Sequence, residues 1–189
     1  MVHLYGHTWP VRWGEAGEQK MVKVYSNCET AELFVNGVSA GVKKRDSQDF
    51  PCAGLRWMTP FVAGKNALRV VAKRGGKTVS DEISFVYQTE KWGAPAELRL
   101  AEVKREAEIV TVEAKLYDAK GVLCLDAKNV VRFSVAGVGR LIDNQGTPDG
   151  SRVVQLYNGR AEISLRRGGG KSAVGVVSEG IPAAVFEVG

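Results

Sequence analysis

Residues 22–41 read VKVYSNCETAELFVNGVSAG, a stretch that leaves little room for anything but β-structure. Ala31, Leu33 and Val35 alternate with Glu32, Phe34 and Asn36, the period of two that sets one face of a strand on a core and the other in water. Asn36-Gly37 follows, a pair able to hold the two positive φ angles of a type I′ turn, and Val38 resumes the strand. The stretch predicts two strands closed by a two-residue hairpin, and with it an all-β module.

The same period recurs along the chain. Strands are expected around Leu55–Met58, along the Leu68, Val70, Ala72 row, and along Ile83, Phe85 and Tyr87, with Gly75-Gly76 as a tight turn between the last two. Gln88 to Pro95 (QTEKWGAP) loses the alternation and carries Gly93 and Pro95, so it reads as a linker. Beyond it Ala96, Leu98 and Leu100 make one inward row, and Val110, Val112, Ala114 and Leu116 make another, the most regular in the chain. Asp118 to Gly121 is a turn; Val131, Phe133 and Val135, then Ala161, Ile163 and Leu165, then Val174 and Val176, then Val185 and Val188, supply the remaining inward positions. No 12-residue window holds apolar residues at helical spacing with caps. The expected architecture is two tandem immunoglobulin-like β-sandwich domains, residues 1–89 and 94–189, at the strand density such folds need.

Charge argues against a nucleic-acid partner. Residues 1–90 carry 12 Lys/Arg against 9 Asp/Glu and residues 91–189 carry 14 against 12, an excess spread along strands rather than a stripe that tracks phosphates. The densest cluster, Lys43-Lys44-Arg45, sits beside a hairpin strand, where charge discourages pairing with another sheet. No run approaches the apolar length of a membrane helix, and MVHLYGHTWP has no charged and apolar regions of a signal peptide. No membrane partner is expected.

Little in the chain points to catalysis. Its two histidines, His3 and His7, both lie in the first 13 residues, together with Tyr5, Trp9 and Trp13; a nucleophile–histidine site on a rigid scaffold is not expected. There is no phosphate-binding glycine loop, because Gly168-Gly169-Gly170 lies between strands. Asp143, Asn144 and Asp149 in the loop LIDNQGTPDGS offer hard oxygen ligands of the calcium kind, though Asn, Asp, Gly and Pro are also what any tight loop uses. No cofactor is implied. Cys28, Cys52 and Cys124 have no metal-ligand spacing; they read as buried thiols, with a Cys28–Cys52 bridge as the alternative. The aromatic leading segment, with His7, Trp9 and Trp13, reads as a surface that packs against something upstream, and Trp92 in the linker as a staple between the two domains.

Two stretches resemble a known family. His7-x-Trp9, Trp13-Gly14, Val24 to Cys28, Glu32-Leu33-Phe34 and Asn36-Gly37 resemble the region just after the catalytic barrel in bacterial glycoside hydrolase family 2 enzymes, especially β-galactosidases of the Bacteroides type. Asp118 to Gly121, Ala127, Val131 to Gly139 and Tyr157 to Ala161 resemble that family's C-terminal immunoglobulin-like module, and the loop Asp143–Gly150 departs from its usual glycine- and asparagine-rich form. The family's catalytic glutamates lie on a (β/α)₈ barrel of about 250 residues, so none is carried over to this chain. The resemblance implies a non-catalytic accessory region of a larger glycosidase whose partner is the upstream barrel of the same polypeptide, in a periplasmic or extracellular parent. A carbohydrate-binding module that tethers the parent to polysaccharide is the alternative.

Overall fold

In a computed structural model, which describes residues 1–45, 53–143 and 150–189, the chain is all-β, with no α-helix among the described residues. It divides into two compact units, Met1–Glu90 and Lys91–Gly189.

The first unit contains β1 (Val2–Leu4), β2 (Val11–Trp13), β3 (Lys20–Ser26), β4 (Thr30–Val35), β5 (Val38–Lys44), β6 (Leu55–Thr59), β7 (Gly64–Arg74) and β8 (Lys77–Gln88). They form a three-stranded sheet, β1-β3-β6, and a five-stranded sheet, β2-β8-β7-β4-β5. The core lies between them, with Leu4, Val22, Val24 and Trp57 from one sheet and Leu33, Leu68, Val70, Phe85 and Tyr87 from the other. The Asn36-Gly37 hairpin forms as expected: Val35 pairs with Val38, and the two turn residues have φ of 51° and 84°. Asn36 does more than turn the chain, since its Oδ1 accepts from the Ala67 amide at 2.8 Å and its Nδ2 donates to Asn66 Oδ1 at 3.1 Å. The expected pair of strands over 22–41 becomes three. Val22–Ser26 belongs to β3 in the facing sheet, because the chain crosses between sheets at Asn27–Glu29 before the hairpin begins.

The second unit contains β9 (Pro95–Glu106), β10 (Ile109–Asp118), β11 (Val130–Gly137), β12 (Arg140–Ile142), β13 (Val153–Gln155), β14 (Arg160–Arg166), β15 (Ser172–Ser178) and β16 (Ile181–Val188). Two four-stranded sheets, β12-β14-β10-β9 and β13-β11-β15-β16, enclose a core of Val110, Val112, Ala114, Leu116, Val131, Phe133, Ile163, Leu165, Val174 and Val176, all with no exposed surface. Val185 is not in it. It stands 69% exposed, and Ala184, Phe186 and Val188 face inward instead; an inward Val185 would break the period of two that Val188 sets. Pro95, expected in the linker, starts β9.

The Asp118 turn is built around its carboxylate. Asp118 is buried, and its oxygens accept from the amides of Gly93 at 2.7 Å, Lys120 at 2.9 Å and Val122 at 2.8 Å. Donation from Gly93, then from Val122, holds the carboxyl below its ordinary value; burial works the other way, and Lys120 adds to the depression. A carboxyl that ionises more readily folded than unfolded contributes fully above about pH 3.9 and fades as pH falls through its lowered folded value. Acid titration of unfolding should therefore show a loss of stability that Asp118→Asn flattens, while Asp118→Ala lowers the melting temperature at neutral pH by several degrees. An unchanged acid slope in Asp118→Asn would assign the loss to another carboxylate.

Candidate functional site

Three of the residues that sequence singles out, His7, Trp9 and Trp13, lie on the leading segment of the first unit, and the fold explains how it is held. β1 pairs antiparallel with β3, His3 opposite Tyr25. After a turn at Gly6, β2 adds to the other sheet as a parallel neighbour of β8, Val11 opposite Val86 and Trp13 opposite Gln88. One short stretch is thus sewn into both sheets. Leu4 anchors it with no exposed surface, and Tyr87 Oη donates to the Glu15 carbonyl at 3.2 Å beyond β2. Burial pushes the Tyr87 phenol above its ordinary value, against a pull from Lys20, so it stays a neutral donor.

Around these anchors lie half-buried and exposed aromatic and cationic groups. Tyr5 is half exposed and meets both Trp9 and Tyr25 edge-on, at centroid distances of 5.2 and 6.5 Å. These rings do not share a plane, so they do not form a flat platform for a sugar ring. Arg12 lies over the Phe85 ring at 4.1 Å and donates to the Gly6 carbonyl at 3.1 Å. Burial pushes its guanidinium down, and among the described residues no carboxylate pairs with it. Trp13 is partly buried, with Lys20 Nζ 5.9 Å from its ring centre.

His7 lies beside Asp81 of β8, with Nε2 2.8 Å from Oδ2. The same oxygen accepts from the Leu4 amide at 2.7 Å and has His3 Nδ1 at 3.7 Å. Burial opposes ionisation of Asp81, but the Leu4 amide and then His7 outweigh it, so the carboxyl sits below its ordinary value. Sequence reading missed Asp81, which nothing local marks and which meets His7 across 74 residues.

The other candidates lie elsewhere. Trp92 belongs to the second unit, where it packs against that unit's own core and donates from Nε1 to Asp126 Oδ1 at 2.5 Å. Trp57 is core, its Nε1 donating to the Gly41 carbonyl at 3.0 Å. Of the calcium candidates, Asp143 is ion-paired with Arg152 at 2.8 Å; Asn144 and Asp149 lie outside the described residues, as does Cys52. Cys28 and Cys124 are buried free thiols, and burial pushes Cys124 up to about 11.

Two family profiles match the chain: a domain of unknown function, DUF4982, over residues 17–80, and glycoside hydrolase family 2 C-terminal domain 5 over residues 101–187. The crystal structure of Parabacteroides merdae β-glucuronidase superposes on the whole chain with a TM-score of 0.95 at 49% identity, the chain covering 24% of that protein. β-Glucuronidase 3 of Bacteroides uniformis gives 0.94 at 44% identity, again over the whole chain and 24% of the other. β-Galactosidase BoGH2A of Bacteroides ovatus is 33% identical over the whole chain and 22% of its own length. The chain thus spans less than a quarter of each of these three relatives, and these two β-glucuronidases are more similar to it in sequence than this β-galactosidase is. It belongs to the C-terminal β-sandwich region of glycoside hydrolase family 2.

Proposed function

We propose that this chain is a non-catalytic accessory region whose leading segment buttresses the upstream catalytic barrel of its parent glycosidase. The observation that carries the reading is the leading segment itself. It is locked into both sheets of the first unit, yet it leaves Tyr5, His7 and parts of Trp9 and Trp13 uncovered and a half-buried Arg12 that pairs with no carboxylate among the described residues. Rigid backbone beneath incompletely covered aromatic and cationic groups suits a permanent contact within one polypeptide, where a carboxylate from the neighbouring domain would pair with Arg12. The greater similarity to proteins named β-glucuronidase favours a parent acting on β-glucuronides.

Acrylamide quenching tests the contact. Trp9 and Trp13 should be quenched less in a longer chain that includes the barrel than in the 189-residue chain, while buried Trp57 should not change; Trp9→Phe and Trp13→Phe assign the signal. Equal quenching in both chains would remove the reading.

A further inference from the structure

We propose that His3, His7 and Asp81 form a three-donor site for a divalent transition ion of the zinc type, which clips the two sheets of the first unit together. His3 stands on β1 of the three-stranded sheet and His7 in the turn after it, whereas Asp81 stands on β8 of the five-stranded sheet. Their donor atoms all lie within 4.8 Å of one another, the only such group of three among the described residues.

The spacing of the donor atoms favours an ion there. A single histidine beside an aspartate is an ordinary ion pair. Here two imidazole nitrogens approach one carboxylate oxygen, at 2.8 and 3.7 Å. Ligands about 2.0–2.1 Å from a tetrahedral zinc lie roughly 3.3 Å apart, a spacing between those two. The carboxylate is already held, with the Leu4 amide donating to Oδ2 and the Glu82 amide to Oδ1 at 3.0 Å; such backing bonds orient metal ligands. The imidazole planes are nearly parallel, 10° apart with centroids at 4.8 Å, so their lone pairs do not yet converge. His3 is 53% exposed and free to turn its ring towards the ion. Two imidazoles and one carboxylate suit zinc and its neighbours rather than calcium or magnesium, and leave a fourth position to water. The site does not depend on the accessory role, because all of its ligands come from this unit.

The test uses the full chain after chelator treatment, with Zn²⁺ as the probe. Calorimetry should show saturable uptake of one ion per chain, and the melting temperature of the first unit should rise with Zn²⁺, since an ion that binds only the folded state stabilises it. His7→Ala and Asp81→Asn should each weaken uptake by about tenfold or more and abolish the thermal shift; both leave the core untouched, and circular dichroism verifies their folds. Co²⁺ in place of Zn²⁺ should give visible ligand-field bands without a thiolate charge-transfer band. Uptake should persist when the chain is extended upstream of Met1, which removes the α-amino group as a ligand. No saturable uptake, unchanged uptake in both variants, a thiolate band, or loss of uptake on extension would each overturn the proposal.

Discussion

Replacing Tyr87 by alanine should destabilise the first unit by about 3–5 kcal/mol, the range for deleting a fully buried aromatic side chain. Tyr87 is 1% exposed, meets Phe61 edge-on at 5.4 Å, and ties the backbone beyond β2 to β8 through the Glu15 carbonyl. Tyr87→Phe keeps the ring and loses only the tether, so it should cost about 1 kcal/mol. Gly14 gives a second handle on the same contact, because a Cβ there collides with Tyr87 Oη and lies 2.6 Å from Lys20 Nζ; Gly14→Ala should cost about 1–3 kcal/mol through overpacking. Chemical denaturation followed by tryptophan fluorescence checks this, as Trp9, Trp13 and Trp57 report on the first unit and Trp92 on the second. If Tyr87→Phe proved as damaging as Tyr87→Ala, the hydroxyl tether and not ring packing would dominate.

In the second unit the most damaging small change should be Gly137→Ala. Gly137 has φ of 94°, and a Cβ added there would strike the Lys171 carbonyl oxygen and come within 2.9 Å of Ser172 Cα. Both obstacles are backbone, at the first residue of β15 and the residue just before it, and cannot rotate away as a side chain would. Strain at positive φ and the forced displacement together should cost about 3–5 kcal/mol. Gly41 separates the two causes. Its φ is 98°, yet nothing lies within 4 Å of its added Cβ, so Gly41→Ala should show the conformational cost alone, about 1–3 kcal/mol. Equal losses at the two glycines would mean that β15 gives way and the collision costs nothing.

What could be read from sequence was the local part of the fold. The period of two fixes which side chains of a strand share a face, and Val110, Val112, Ala114 and Leu116 are all fully buried as it requires. It does not say which sheet a strand joins, which is why Val22–Ser26 lies between β1 and β6 and not beside the hairpin strands. β1 and β2 span three residues each, too short for any period to show, and both depend on partners far along the chain. A second Asn-Gly turn, Asn158-Gly159 with φ of 53° and 71°, had the same signature as the first but lacked a long alternating strand before it. Glu113 has the opposite lesson. Its place in the alternation is outward, yet it is buried, because Lys115 at 2.6 Å and Arg160 at 3.0 Å cover it. Arg160 also contacts Glu162, directly across the ladder from Glu113, and so offsets a like-charge pair that would otherwise be unfavourable. Of the leading segment, sequence supplied the aromatic and histidine cluster, but not Asp81 or the stitching through both sheets, since each needs a contact that only the fold creates.

That stitching sets where the first unit can be cut and transplanted between enzymes. The matching family profile begins at residue 17, after both leading strands. A graft made there would discard Leu4 from the core and open the hydrogen-bonding edges of β3 and β8 at once, inviting those edges to recruit strands from other molecules. A recombination that exchanges this module intact has to break the chain ahead of Val2, so the unit of inheritance is longer than the recognisable motif.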